Sequence, residues 1–464
     1  MTKPAATVQR KSEVSTIVDL LREPPTGLSI CAISGPGGVG KTFLLELALE
    51  SLDLDSAGYL QLSVDGSNVQ SRGDFFATLE ALFPRSLPPP ADSRKDYFPR
   101  LRSLANSVRQ LVNEATAELQ KKGAPETVKR LAVLAMKAVA IFNQSTSKPN
   151  KHIAKLDEAV DGEDLHALFD NAWDLVRGLS ALQTVTARFG PLRDLFGLTW
   201  RNRIRSDLYR LTAQELRTDL SAAIGGWEKR DLAKWVHGKI PGRRRLLLVL
   251  DDYEVLSPLL ADFLVGALVP ELAAVRFDTV IVILCRDDLD STHPGWAQHC
   301  KRYLREQIRL TPFDAAMAAE FLGSAGIPEE RRQAIFDATQ GYPFLLSLIA
   351  EESTAGGADS ALFLRKFFER TTRWMSTREQ EWFLKICYLE RVNEDTLALL
   401  FPAEEIARIQ DWFESEPSVR DPTAADFRVR PLIRDKVLRY ESIRAPRRHE
   451  ELRERAAGRK PTSD

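Results

Sequence analysis

The chain has few cysteines, and none in a spacing that suits cross-linking or zinc. Its four (Cys31, Cys285, Cys300 and Cys387) show no C-x-x-C pattern, which excludes a disulfide framework and suits a reducing compartment. Cys31 and Cys285 fall inside candidate core strands, where a free thiol behaves as a small hydrophobe. The six histidines are scattered. His293 and His299 lie near Cys300 without ligand spacing, so no metal site is expected there. Net charge is missing too: 64 Lys and Arg face 65 Asp and Glu, leaving no global field to attract nucleic acid or a membrane. The longest apolar run, Leu131 to Phe142, is broken by Lys137 and is too short to span a bilayer. The polar N-terminus, with Lys3, Arg10 and Lys11, has no apolar stretch of the secretory kind behind it. These features together predict a cytoplasmic chain with no membrane partner. No solenoid or propeller period follows residue 440, and no effector domain is expected before residue 8.

What is present reads as ordinary globular protein, 44% hydrophobic and 28% charged, in about two to four domains. Basic clusters at Arg201/Arg203/Arg205, at Arg243-Arg244-Arg245 and at Arg444, Arg447 and Arg448 read as solvated helix ends and loops. A helix is expected over 8–24 and a buried strand over 28–33. The alternation of Tyr59 to Val64 predicts a second strand, and Asp74 is expected to cap a helix over 75–83. Leu87-Pro88-Pro89-Pro90 ends it. Helical spacing then prevails to about 240. Two continuous apolar runs follow, 246–250 and 279–284, with a helical stretch at 259–268 between them. Such runs suit parallel strands covered on both faces, and their alternation with helices predicts an open α/β sheet. From 311 onward the pattern is helical again.

The densest signal is Gly35-Pro36-Gly37-Gly38-Val39-Gly40-Lys41-Thr42. It fits G-x-x-x-x-G-K-[ST] and lies between a predicted strand and a predicted helix, the context in which such a loop wraps phosphate. Its glycines let backbone N–H groups converge on an anion, and the helix N-terminus adds a positive end. Lys41 supplies a point charge for β- and γ-phosphates, and the Thr42 hydroxyl is placed to ligate Mg²⁺. A phosphate loop needs an acid on a neighbouring strand. Asp251 ends the 246–250 run and is the candidate metal ligand, together with Thr42. Asp252 is preferred as the residue that handles the attacking water, with Glu254 in reserve. Arg286 ends the next strand, where a guanidinium can sense a γ-phosphate through charge-assisted hydrogen bonds. Its blander role is to pair with Asp287 or Asp288.

In this order the motifs resemble the STAND class of signalling ATPases, relatives of NB-ARC proteins and of AAA+ enzymes, and ATP-binding proteins common in actinobacteria. The G-x-G-G-x-G-K-T form of the loop, the paired acids Asp251-Asp252 and the strand-end Arg286 carry the resemblance. So does Gly341-Tyr342-Pro343, a G-x-P element whose proline packs near adenine in that class. The N-terminal h-h-G-R-E-x-E element is matched in part, by Arg10 and Glu13, with Gln9 and Lys11 replacing Gly and Glu. Arg430 stands where the class carries the histidine of its M-H-D motif. The usual ADP-locking contact is therefore replaced, with Arg430 as a candidate β-phosphate ligand.

The resemblance implies a P-loop NTPase parallel sheet with a long helical insertion, followed by a small helical domain and a winged-helix domain. The expected boundaries are 8–87 and 201–310 for the two parts of the sheet domain, and 88–200 for the insertion. The small helical domain spans 311–370, the winged helix 371–445, and a loose charged tail 446–464. The 210 residues from Lys41 to Asp251 are what require the insertion. ATP or ADP and Mg²⁺ are the implied ligands. ATP rather than GTP rests on the resemblance, since no guanine-reading N-K-x-D occurs. The implied activity is slow Mg²⁺-dependent ATP hydrolysis. It resets a switch that controls domain orientation, self-association as a homo-oligomer, or binding of a separate effector or sensor protein. The competing expectation is a DNA-acting AAA+-like ATPase using its winged helix on duplex DNA. The neutral charge balance does not favour nucleic acid, and the arginine clusters keep it open.

Overall fold

The computed structural model describes residues 10–82, 209–224, 245–355 and 360–458, with Arg100, apart from a few positions inside these spans. Apart from Arg100, the expected insertion at 88–200 lies outside the described residues, as do Arg201, Arg203, Arg205, Arg243 and Arg244. The chain divides into two compact units. One comprises Ser15–Ile33 and Ala48–Gln307; the other comprises Met1–Val14, Ser34–Leu47 and Ile308–Asp464.

Five strands form one sheet: β1 (Leu28–Ser34), β2 (Tyr59–Asp65), β3 (Arg245–Asp251), β4 (Thr279–Cys285) and β5 (Leu304–Arg309), in the order β2-β3-β4-β1-β5. β2, β3 and β4 pair in parallel, Tyr59 opposite Arg245 and Leu246 opposite Thr279. β1 runs the same way, because its start meets that of β4 (Thr279 N–H to Gly27 O, 2.8 Å) and its end meets that of β5 (Leu310 N–H to Ser34 O, 2.7 Å). Every residue of β1 and β4 is buried. That is why their sequences are almost wholly apolar, with Ser29 and Ser34 in β1 and Thr279 in β4 as the hydroxyl residues. The two edge strands differ. β2 alternates, and β5 (Leu-Arg-Glu-Gln-Ile-Arg) buries only Ile308. No strand was expected over 304–309, because an edge strand exposes one flank to water and tolerates charge that an interior strand excludes.

Helices cover the sheet where their apolar faces dictate. Lys11–Arg22 buries Ile17, Val18, Leu20 and Leu21. The helix following β2 begins at Arg72, so Asp74 sits inside its first turn instead of capping it. The helix following β3 runs from Tyr253 through a π-helical turn (Leu264–Leu268) to Ala273, longer than the 259–268 expected. It is apolar and long enough to cross a membrane by composition alone. Its Leu256, Leu260, Phe263 and Leu264 are spent on the sheet core beside Phe75, Phe76 and Tyr209. Residues 209–222 form a further helix, tied to this one by the Arg217–Glu271 ion pair at 2.8 Å.

The other unit is helical. Ala315–Ser324, Glu329–Thr339, Pro343–Ala355 and Ala361–Thr371 come first. Asp314 and Ser360 each cap a helix by accepting a backbone N–H. Thr377–Ile386, capped by a Ser376/Glu379 box, then leads to Ala403–Glu414, a bridge pairing Arg420 with Val429, and Pro431–Arg444. The segment expected as a loose tail is instead helical over Pro446–Ala456. Leu452 is buried, and the Tyr388 hydroxyl bonds His449 Nδ1 at 2.9 Å. Leu452 and this part-buried polar contact help dock a helix that looks uniformly charged in sequence.

All four cysteines are buried. Burial pushes the Cys31 thiol up to about 12 and Cys300 to about 11. The thiolate is the reactive form, so the folded protein is expected to show no rapid reaction with a disulfide reagent at pH 8. Four equivalents should appear only on unfolding. A fast-reacting thiol in the native chain would contradict this packing.

Candidate functional site

β1 delivers the chain to a loop whose shape depends on its glycines. Gly35, Gly38 and Gly40 take φ values of 148°, 74° and 96°, the region open to glycine without steric cost. Positive-φ residues in a short run turn successive N–H groups to one side, forming an anion-binding concavity. A methyl on Gly35 would lie 2.4 Å from the carbonyl oxygen of Leu310, so the loop's first residue is also pressed against the chain leaving β5. Lys41–Glu50 starts directly behind, with Leu44 N–H donating to Gly40 O at 2.9 Å. Lys41 is only 9% exposed. Its Nζ donates to the carbonyls of Gly35 (2.7 Å) and Pro36 (3.3 Å), which holds the ammonium across the loop. The residues present therefore fit a polyphosphate: convergent donors, a helix N-terminus and one buried cation.

The same unit holds Arg10, Pro343 and Arg430. Arg10 donates to the Thr311 carbonyl at 2.6 Å and lies 5.1 Å above the Phe313 ring; burial pulls its pKa down. Phe313 N–H donates to Gly341 O at 2.9 Å. Gly341 has φ 71°, and a methyl there would sit 1.9 Å from the Phe313 carbonyl oxygen. Arg10, the exit of β5 and Gly341-Tyr342-Pro343 thus form one cluster, and Pro343 opens the next helix. Arg430 is 2% exposed and stacks 4.7 Å from the Tyr342 ring. It donates to Ser418 O and Pro417 O, both at 3.1 Å. Its guanidinium ties the middle residue of the G-Y-P element to the segment that follows the Ala403–Glu414 helix.

Two aromatic residues that sequence reasoning missed adjoin the loop. A methyl on Gly37 would lie 2.8 Å from the Trp374 indole, and one on Gly38 would lie 2.4 Å from the Phe344 ring. The two rings meet edge to face, 5.1 Å apart. Trp374 is 337 positions from Gly37 and sits in no motif, so only the folded chain reveals it.

In the sheet unit, the strand-end acids are shaped by their backbone. Asp252 adopts φ 48° and ψ 48°, a left-handed conformation that aspartate tolerates better than most residues. Its N–H donates to the Asp251 carboxylate at 2.9 Å, fixing Asp251 at the end of β3. The turn after β2 presses on the same place, since a methyl on Gly66 would meet the Asp252 carbonyl oxygen at 2.5 Å. Arg286, at the end of neighbouring β4, pairs with Glu254 at 2.8 Å. Arg286 thus has an acidic partner in Glu254, beyond the Asp287 or Asp288 expected for its blander role. The sensor candidate and the reserve acid hold one another. The His293-Pro294-Gly295-Trp296 segment has a structural job. His293 accepts the Gly295 N–H at 3.1 Å and lies 3.2 Å from Asp262, while Trp296 donates to the Tyr253 hydroxyl at 3.2 Å. Among the described residues no cluster of His, Cys, Asp and Glu could hold a metal by itself.

No family model matches the chain, and no curated protein matches it. Among solved structures it is similar to the Aeropyrum pernix ORC1 protein in complex with DNA. That match has 11% identity and a TM-score of 0.38, and covers 96% of this chain and 95% of that one. It is also similar to Drosophila ORC bound to DNA, at 12% identity and a TM-score of 0.31 over 94% and 87% of the two chains. The reading of the site rests on its own residues.

Proposed function

We propose that this chain is an ATP-binding switch ATPase of the STAND type. The observation that carries the reading is the Gly35–Thr42 loop, with three glycines at positive φ and a buried lysine drawn across it. The loop amides and Lys41 bind the β- and γ-phosphates. Thr42 and Asp251 are the residues that would hold Mg²⁺, whose contribution is to neutralise charge on the phosphates. Asp252 orients the attacking water and accepts its proton. Arg286 reads the γ-phosphate and is exchanged between that anion and Glu254. Pro343 borders the base, with Arg10 and Arg430 supporting the elements around it. A ligand shifts such a molecule only through contacts that differ between its states. The candidate contacts are those of Lys41 and Arg286, and the output is self-association or the binding of a separate protein.

Two measurements test this. Asp252→Ala should retain ATP binding and lower the hydrolysis rate by about a hundredfold, the scale of a lost general base. Normal hydrolysis by Asp252→Ala together with loss in Glu254→Ala would reverse the assignment of the acids. Light-scattering mass with ADP and with a non-hydrolysable ATP analogue, each with and without duplex DNA, tests the output. A change of mass between the nucleotides without DNA is the expected result. Tight DNA binding with a steep salt dependence and no nucleotide-driven change would replace the switch by a DNA-acting ATPase.

A further inference from the structure

Gly37 presents a puzzle that the phosphate-loop motif does not solve. Its position in G-x-x-x-x-G-K-T accepts any residue, and its φ is not among the positive values in this chain. Backbone conformation does not require glycine there. What requires it is Trp374: three indole atoms would lie within 2.9 Å of a methyl group at that position. Gly38 is constrained twice, by φ 74° and by Phe344 at 2.4 Å. Trp374 lies in the short turn between the Ala361–Thr371 and Thr377–Ile386 helices. Phe344 is the second residue of the helix opened by Pro343. The turn is held from its own side: Thr372 donates to Phe368 O at 2.9 Å, and Gln380 donates to Met375 O at 3.0 Å. A rigid aromatic pair, fixed on the helical segments, therefore rests on the rim of the loop.

We propose that Trp374, backed by Phe344, is a positioning residue that brakes the release of nucleoside di- and triphosphates and carries the state of the loop to the 371–376 turn. The proposal rests on the nucleotide reading above. Its physical basis is cover. An aromatic face over Gly37 and Gly38 excludes water from the adjacent N–H donors, and charge-assisted hydrogen bonds strengthen as the local dielectric falls. The same contact is mechanical. A loop that tightens around an additional phosphate shifts the surface against which the indole rests, and close-packed contacts pass such shifts on.

The test uses the full chain and a fluorescent ADP analogue, with release followed by stopped flow. Trp374→Ala should release the analogue about tenfold faster, a loss of roughly one net hydrogen bond's worth of holding, while Trp374→Phe should stay within about twofold of the parent. Gly37→Ala should lower both the melting temperature and affinity. Adding Trp374→Ala to Gly37→Ala should recover both in part, because the indole that meets the new methyl is gone. A purely structural tryptophan would lower the melting temperature without changing release. Release from Trp374→Ala at the parent rate, or a double variant no better than Gly37→Ala, would overturn the proposal. If the parent protein takes up no analogue, the nucleotide reading fails, and the braking role with it. The rescue of the melting temperature would then still report on the Gly37–Trp374 contact alone.

Discussion

Lys41→Ala is expected to reduce ATP and ADP affinity by at least about a hundredfold, measured by calorimetry or fluorescence titration. The ammonium makes two hydrogen bonds to the loop's own carbonyls and is the one basic side chain within the Gly35–Thr42 motif. A hydrogen bond to a charged group contributes about 1.5–3 kcal/mol. Losing two of them to phosphate oxygens amounts to about 3 kcal/mol at the low end, or roughly two decades in affinity. Lys41→Arg is a stringent companion. It keeps the charge, but a planar guanidinium does not fit where a compact ammonium lies between two carbonyls, so most of the loss should persist. An unchanged affinity in Lys41→Ala would remove the loop from the binding site.

Gly341→Ala should be the most damaging single methyl in the helical unit, costing about 3 kcal/mol or more in urea unfolding. Two terms add. A non-glycine residue in the left-handed region costs about 1–2 kcal/mol, and φ here is 71°. The methyl then meets the Phe313 carbonyl oxygen at 1.9 Å. That atom is backbone and cannot swing aside, so the hydrogen bond from Phe313 N–H to Gly341 O must stretch or break. Gly326→Ala provides the comparison. Its φ is 77°, in the same unit, with nothing within 4 Å of the added methyl, so it should show the backbone term alone, about 1–2 kcal/mol. Equal losses in the two variants would mean that the packing around Gly341 yields. Because Gly341 sets the direction of Tyr342 and Pro343, its variant should also weaken nucleotide binding at temperatures where the chain is still folded.

The legible parts of the fold were those where one local pattern admits one structure. The runs 246–250 and 279–284 read as interior parallel strands because a strand covered on both faces has no room for polar residues, and they appear as β3 and β4. β5 was not legible. Its Arg305, Glu306 and Arg309 are ordinary loop residues until β1 offers a free flank beside them. The helix behind β3 was placed too late, since it begins where Asp252 adopts a left-handed conformation, which no periodicity announces. The terminal helix was concealed by its charge, and its docking depends on Leu452 and His449.

For the candidate site the division is similar. Gly35, Gly38, Gly40 and Lys41 could be singled out from sequence, because conformational freedom and charge belong to a residue wherever it stands. The partner of Arg286 could not, since Glu254 and Arg286 come within 2.8 Å only through the pairing of β3 with β4. Nor could the reason for Gly37. By itself the sequence determined which backbone positions turn freely, which runs must be buried, and where an acid closes a strand. The tertiary structure decided which charges are spent on one another and which aromatic rings rest on the loop. Those outcomes depend on distances between residues from 32 to 337 positions apart, set by packing rather than by any local preference of the chain.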